Sequence, residues 1–238
     1  MVERCGATVH RSQGAWSGCV HRLLDHLRQR GFTGAPRFLG VDDQGREILD
    51  YIEGDEACEV PVDEVLASAA VLLRGLHDAT ADGALFDMTG WQLPTVEPVE
   101  VICHNDVAPY NCVVRDGVAV GLIDFDVAAP GPRVWDLAYA LYRFVPLSQG
   151  VGDAQTQGER ARRFLAAYGV SQTDAVEVFR QVPVRLQALI DFMTARATAG
   201  DLAYAGHIAR GDADLYRRDI DYIAANIPVW TALMGELP

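Results

Sequence analysis

The stretch V-I-C-H-N-D-V-A-P-Y-N-C-V-V-R-D-G-V-A-V-G-L-I-D-F-D-V-A-A-P-G-P-R-V-W-D-L-A-Y, residues 101–139, decides the reading of this chain. Two β-prone runs, 112–115 and 118–123, flank Asp116-Gly117, a dipeptide favoured in two-residue hairpin turns. Counting back from that turn pairs Arg115 with Val118, Cys112 with Gly121 and Asn111 with Leu122. Side chains alternate along a strand, so Leu122 and Asp124 share a face. Asn111 and Asp124 are then diagonal neighbours on it, roughly 7 Å apart at Cβ. Two oxygen donors at that separation can converge on one hard cation such as Mg²⁺. Asp106 stands five residues before Asn111, in a loop bent by Pro109. A carboxylate there, beside a metal-bound phosphate, can orient an acceptor hydroxyl and take its proton.

Upstream of this segment the chain has a mixed α/β character. Trp16, Val20, Leu23, Leu24 and Leu27 follow helical spacing, and Gly31 is placed to end that helix. Strands are expected over 37–41 and 47–52, joined by the turn D-D-Q-G. Pro61 opens a second helix, with Val62, Val65, Ala69, Leu72 and Leu76 on its inner face. Residues 85–98 form a surface connection, and the β segment spans 99–124. Beyond Arg133 the pattern is helical almost throughout. Phe164, Leu165 and Tyr168 precede Gly169, and Val176, Phe179, Leu186, Ile190 and Met193 form a stripe kinked at Pro183. A last helix from about Asp212 is expected to bury Leu215, Tyr222, Ile223, Ile227 and Trp230.

Composition narrows the function. The 238 residues suffice for a sizeable core, and half of them are apolar. A net charge of −13 opposes a nucleic-acid partner and suits a cationic small molecule or plain solubility. No apolar run reaches the length of about 20 residues that a membrane span needs. The start, M-V-E-R-C-G, lacks the order of a signal peptide, and the five cysteines contain no C-x-x-C pair. Free thiols in the reducing cytoplasm are the expected state. All twenty basic residues are arginines, and lysine is absent.

H-N-D-V-A-P-Y-N, residues 104–111, resembles the H-x-D-x-x-x-x-N catalytic loop of the aminoglycoside phosphotransferase and choline kinase family. I-D-F-D, residues 123–126, stands where that family carries its metal-binding aspartate. P-G-P-R-V-W-D-L-A, residues 130–138, is similar to its following segment. G-R-E-I-L-D-Y-I-E-G, residues 45–54, looks like the hinge that grips adenine. The resemblance implies an α+β, protein-kinase-like two-lobed fold, with a truncated N-terminal lobe over 1–54 and a mainly helical lobe over 55–238. It implies ATP as co-substrate, Mg²⁺, and a small cationic acceptor such as an aminoglycoside-like antibiotic or an amino-alcohol metabolite. By that resemblance Asp106 is the catalytic base, and Asn111 with Asp124 hold the metal. His104 and Asp136 tie down the catalytic loop, and the backbone of Tyr51, Ile52 and Glu53 meets adenine. Asp126 is either a second metal or substrate ligand or a solvated carboxylate. His77 is expected to be a packed or capping histidine.

The pattern departs from the family at its N-terminal end. No G-x-G-x-x-G is present, and the usual lysine–glutamate pair has no lysine to build it. A-T-V-H-R-S, residues 7–12, offers His10 or Arg11, and the helix position aligned with the glutamate is His21. Strand alternation lets only one of His10 and Arg11 face the nucleotide, and Arg11 is the expected one. The departure keeps a second reading open, a kinase-fold protein that binds a toxin or antibiotic as an immunity protein. A third reading, a metal-dependent hydrolase, lacks the histidines and bridging carboxylates of such sites.

Overall fold

The computed structural model describes residues 2–236. At its centre is the hairpin β7 (Cys112–Arg115) and β8 (Val118–Leu122). Its turn residues Asp116 and Gly117 have φ of +53° and +77°, the two positive values that such a turn demands. The pairing departs from simple counting. Arg115 opposes Val118 and Val114 opposes Ala119, but Val113 opposes Gly121 and Cys112 opposes Leu122. Val120 is therefore an extra residue, a β-bulge that shifts the register by one. Gly121 explains its place: a Cβ there would lie 2.8 Å from Ile52 Cδ1, so glycine lets the segment after β4 pack onto the hairpin. Asn111 consequently opposes Ile123, whose N–H donates to the Asn111 carbonyl at 2.9 Å.

The chain divides into two units, Met1–Asp136 and Leu137–Pro238. In the first, β1 (Val2–Cys5), β2 (Thr8–Arg11), β3 (Phe38–Val41) and β4 (Glu47–Asp50) form an antiparallel sheet in the order β1-β2-β4-β3. The strands at 37–41 and 47–52 are thus present, each trimmed at one end. Helix α1 (Ser17–Gln29) buries Cys19, Val20, Leu23, Leu24 and Leu27. Gly31, at φ +76°, ends it, with the Phe32 N–H returning to the Leu27 carbonyl and the Gly31 N–H to that of Arg28. β5 (Asp55–Glu56) joins the edge of β7, while β6 (Val101–Cys103) pairs with β9 (Ala129–Gly131).

Helix α2 (Asp63–Thr80) buries Val65, Leu66, Ala69, Ala70, Leu73, Leu76, His77 and Thr80. The expected stripe was narrower and included Val62 and Leu72; Val62 lies outside the helix and is exposed, and Leu72 is half-buried. The stripe is wide because α2 backs both the β7–β8 hairpin and the β6–β9 pair. Ser68 Oγ accepts from the Ala119 N–H at 2.9 Å, and Thr80 Oγ1 from the Ile102 N–H at 3.1 Å. Residues 85–98 carry no helix or strand, as expected of a connection, although Leu85 is buried.

The second unit is helical: the end of α3 (Arg133–Phe144), then α4 (Ala154–Tyr168), α5 (Gln172–Thr198), α6 (Leu202–Ala209) and α7 (Asp212–Ala232). Asp153, Ser171 and Asp201 cap α4, α5 and α6 with side-chain oxygens, each satisfying an otherwise unpaired amide. Pro183 lies inside α5, which continues through it. Val176 is only half-buried, and Ala175 and Val178 take the inner positions instead. In α7 the buried stripe is centred on Asp219, Ile223 and Trp230, so Leu215 is exposed and Tyr222 and Ile227 lie on its shoulders. Asp219 is a buried carboxylate on that stripe. Its inward position is possible because the Tyr142 hydroxyl donates to Asp219 Oδ2 at 2.6 Å, in keeping with the rule that buried carboxylates are hydrogen-bonded. No helix among the described residues is long and apolar enough to cross a membrane.

Candidate active site

The backbone at residues 104–105 is held by one buried carboxylate. Asp136, in the first turn of α3, is fully buried. Its Oδ2 accepts from the His104 N–H at 2.7 Å and from His77 Nε2 at 3.0 Å, and its Oδ1 from the Asn105 N–H at 2.8 Å. Burial alone would push this carboxyl up. The hydrogen bond and charge of His77 and the hydrogen bond from the His104 amide outweigh it, so Asp136 sits below the ordinary carboxylate range. His77 is thus the packed histidine expected, and its partner is Asp136.

His104 crosses to the hairpin side. A carbonyl can only accept, so His104 Nε2 donates to the Ile123 carbonyl at 3.0 Å. Nδ1 is then the acceptor for the Asp106 N–H at 3.3 Å. His104 therefore ties the backbone before Asp124 to the backbone of Asp106. Asn105 has φ +66° and Asp124 φ +64°, left-handed conformations that Asx residues tolerate better than other non-glycines. Each turns the chain sharply beside a residue of the candidate site.

Asp106 itself is held at both oxygens. The Tyr110 hydroxyl donates to Oδ1 at 2.7 Å and Asn111 Nδ2 to Oδ2 at 2.9 Å. Committing Nδ2 to Asp106 leaves Asn111 Oδ1 as an oxygen donor on the other side of the amide. Asn111 and Asp124 line one cavity of about 430 Å³ within the first unit, together with Val9, Arg11, Leu49 and Tyr51. The volume lies within the range of small-ligand sites. Asp124 is half-exposed and bonded only through Oδ1 among the described residues. An amide oxygen and a carboxylate oxygen in one polar cavity suit a hard divalent cation, so this donor set fits Mg²⁺.

Arg11 and His10 point to opposite sides of β2. His10 Nδ1 lies 2.9 Å from Asp42 Oδ2, away from the cavity. The Arg11 fork reaches three carboxylates: Nε to Glu47 Oε1 at 2.5 Å, Nη1 to Asp124 Oδ1 at 2.9 Å and Nη2 to Asp126 Oδ1 at 2.5 Å. Burial opposes the guanidinium charge, but Asp126, Glu47 and Asp124 together raise its pKa. The Asp126 pKa is raised too, which disfavours its charged form: burial and the Asp124 charge lift its carboxyl above the ordinary range despite Arg11.

Glu47 was missed in the sequence. It is 1% exposed on β4 and takes His21 Nε2 at 2.5 Å on its second oxygen. His21, which stacks on Phe38 with ring centroids 3.6 Å apart, is thus joined through Glu47 to Arg11. One signal in the sequence was available. Glu47 shares the buried phase of its strand with Leu49, and a charged residue there needs a partner.

The hinge segment lies against the hairpin. Gly54 permits this, since a Cβ there would stand 2.5 Å from the Val114 carbonyl oxygen. The Tyr51 N–H donates to the Ala7 carbonyl at 2.9 Å, and the Arg4 guanidinium sits 3.6 Å over the Tyr51 ring. Among the described residues, no backbone hydrogen bond engages the Tyr51 carbonyl or the backbone of Ile52 and Glu53. The cysteines are all free thiols, and burial pushes Cys112 up to about 12, which removes it as a nucleophile at neutral pH.

Comparison with known proteins bears on the family and the fold. A profile described as the phosphotransferase enzyme family matches residues 89–176. A trifolitoxin immunity protein of Rhizobium leguminosarum bv. trifolii is 36% identical over 185 residues, covering 72% of this chain and 71% of the relative. Among solved structures, an aminoglycoside phosphotransferase of Alicyclobacillus acidocaldarius superposes with a TM-score of 0.61 at 17% identity, over 100% of this chain and 93% of the other. A choline/ethanolamine kinase family protein of Mesorhizobium loti gives 0.56 at 17% identity, over 98% and 84%. The fold is therefore the kinase-like α+β fold of these enzymes, and the chain belongs to the aminoglycoside phosphotransferase and choline kinase family of phosphotransferases.

Proposed function

We propose that this protein transfers the γ-phosphate of ATP to a hydroxyl of a small cationic molecule, an aminoglycoside-like antibiotic or an amino-alcohol metabolite. The observation that carries the reading is Asp106, held at both oxygens by Tyr110 and Asn111, with Asn111 and Asp124 lining one cavity. Asp106 acts as the base: it orients the acceptor hydroxyl and takes its proton as the oxygen–phosphorus bond forms and ADP departs. Asn111 Oδ1 and the Asp124 carboxylate would hold Mg²⁺, which when bound neutralises phosphate charge. Arg11 faces the phosphates from β2, and Asp126 beside it is a candidate for a second metal or for substrate. The Tyr51 carbonyl and the Ile52–Glu53 backbone present hydrogen-bonding groups to adenine. His104 and Asp136 keep the loop in place. In this reading residues 1–54 form the nucleotide lobe and 55–238 the catalytic and substrate lobe. The reading also gives a cytoplasmic location, supported by the free thiols, and a small-molecule partner rather than nucleic acid.

The 36% identical immunity protein is compatible with either reading, and a second one has the same fold bind a toxin or antibiotic without turnover. One experiment separates the two. Mg·ATP should raise the melting temperature of the wild type, and ADP release should appear with one of a panel of aminoglycosides and amino-alcohols. Asp106→Asn should keep the melting shift and lose ADP release. Full protection of cells by Asp106→Asn against an agent the wild type resists would favour the binding reading, and absence of any Mg·ATP shift would refute the kinase reading.

A further inference from the structure

The Arg11 guanidinium lies where the proposed metal site needs positive charge. Its Nη1 and Nη2 are bonded to Asp124 and Asp126, and its Nε is fixed to Glu47. Glu47 is buried and also bound by His21, so this anchor belongs to the rigid part of the sheet. Asp124 and Asp126 are more exposed and belong to the turn after β8. The two ends of the fork therefore differ: a buried anchor at Nε and exposed, exchangeable partners at the η nitrogens. Charge points the same way. Three carboxylates around one guanidinium leave an excess of two negative charges, which a divalent cation at Asp124 would offset.

We infer that Arg11 is the resident cation of the metal site, pivoting on Glu47 and exchanging with the divalent ion at Asp124. In the metal-free protein the η nitrogens neutralise Asp124 and Asp126 and keep them together. When a divalent ion takes Asp124, those nitrogens are released and, still held through Nε, become free donors for phosphate oxygens. A planar fork with separately directed donors can do this, whereas a lysine ammonium on the same strand would present one point charge. Glu47 and His21 are then positioning residues, since they act on the phosphate region only through Arg11.

The inference rests on the proposed metal role of Asp124, and its test separates the two ideas. Mn²⁺ binding without nucleotide is measured by the loss of the free-ion electron paramagnetic resonance signal. Mn·ADP binding is measured by calorimetry. Arg11→Met keeps the apolar stem and removes the competing cation, so Mn²⁺ alone should bind about 10-fold tighter or more, while Mn·ADP should bind more weakly. Arg11→Lys, which keeps the charge, should stay within about threefold of the wild type for Mn²⁺ alone. Should Arg11→Met be unfolded without metal, saturating Mn²⁺ should fold it, as judged by circular dichroism. Unchanged or weaker Mn²⁺ binding in Arg11→Met, or a variant still unfolded with Mn²⁺, overturns the exchange. A wild type that binds Mn²⁺ but no Mn·ADP refutes the phosphotransferase reading and leaves the exchange standing.

Discussion

Asp136→Asn changes one heavy atom and tests whether the loop at residues 104–105 hangs from one buried carboxylate. Asp136 receives three donors, two on Oδ2 and one on Oδ1. An asparagine can offer its oxygen to only one side. If the oxygen faces the His104 amide and His77, its NH₂ group meets the Asn105 N–H and leaves a buried donor unpaired, at a cost of about 1–3 kcal/mol. The opposite rotamer orphans two donors. Losing the charge beside His77 adds to either arrangement, so destabilisation of about 2–4 kcal/mol is expected, and Asp136→Ala should reach about 3–5 kcal/mol. Urea unfolding followed by fluorescence is the assay, with Trp135 as a local reporter because its Nε1 donates to Asn105 Oδ1 at 3.1 Å. The pH dependence has a definite sign. The folded state holds the Asp136 carboxyl below its unfolded value of about 3.9, so its contribution is complete above that value and is lost as pH falls through the lower folded value. The gap between wild type and Asp136→Asn should be constant from about pH 7 to 5 and shrink only below about pH 4. A gap under about 1 kcal/mol at pH 7, or one that closes between pH 7 and 5, would refute the assignment.

Asp124→Ala should weaken Mg·ATP binding by about 10-fold or more, at least ~1.4 kcal/mol in calorimetry, and equal affinity would remove Asp124 as a metal ligand. Asp106→Asn should bind Mg·ATP within about threefold of the wild type while its turnover falls by about 100-fold or more, and near-normal kcat would exclude it as the base. In the second unit, Gly158→Ala should cost about 1–3 kcal/mol in urea unfolding, because its Cβ would meet Leu233 Cδ1 at 2.4 Å and Trp230 Cδ1 at 2.9 Å; a neutral effect would mean that the Trp230 side of α7 yields freely.

The elements most legible in the sequence were those set by local chemistry. Asp116-Gly117 gives the hairpin turn because both residues accept positive φ, and Gly31 ends α1 because a Schellman turn demands a left-handed residue there. The hairpin register was legible only as far as Val114. Nothing local to Val118–Leu122 announces the extra residue, because the bulge at Val120 answers Ile52, a residue far away in the chain that packs on the bare Cα of Gly121. The inward turn of Asp219 has the same origin, since its partner Tyr142 lies on another helix.

The candidate site divides along the same line. Asp106, Asn111 and Asp124 could be proposed from their spacing, and Asp136 from the resemblance of residues 130–138 to the family's segment. Arg11 could be placed because alternation leaves His10 facing Asp42 on the other side of the strand. Glu47 could not be reached that way, because the familiar pairing directs attention to the helix, where this chain has His21. Physically the substitution is coherent. A lysine on β2 would present one compact point charge, whereas an arginine there can be gripped along its Nε edge from the neighbouring strand. β4 lies beside β2 with Glu47 directly opposite Arg11, so the carboxylate is supplied by the adjacent strand. The helix position is then free for a residue that supports the glutamate, and His21 does so through Nε2. The arginine on β2, the buried acid on β4 and the histidine on α1 are thus one connected network. Lysine in place of Arg11 would leave Glu47 and His21 arranged for a guanidinium edge that is no longer there.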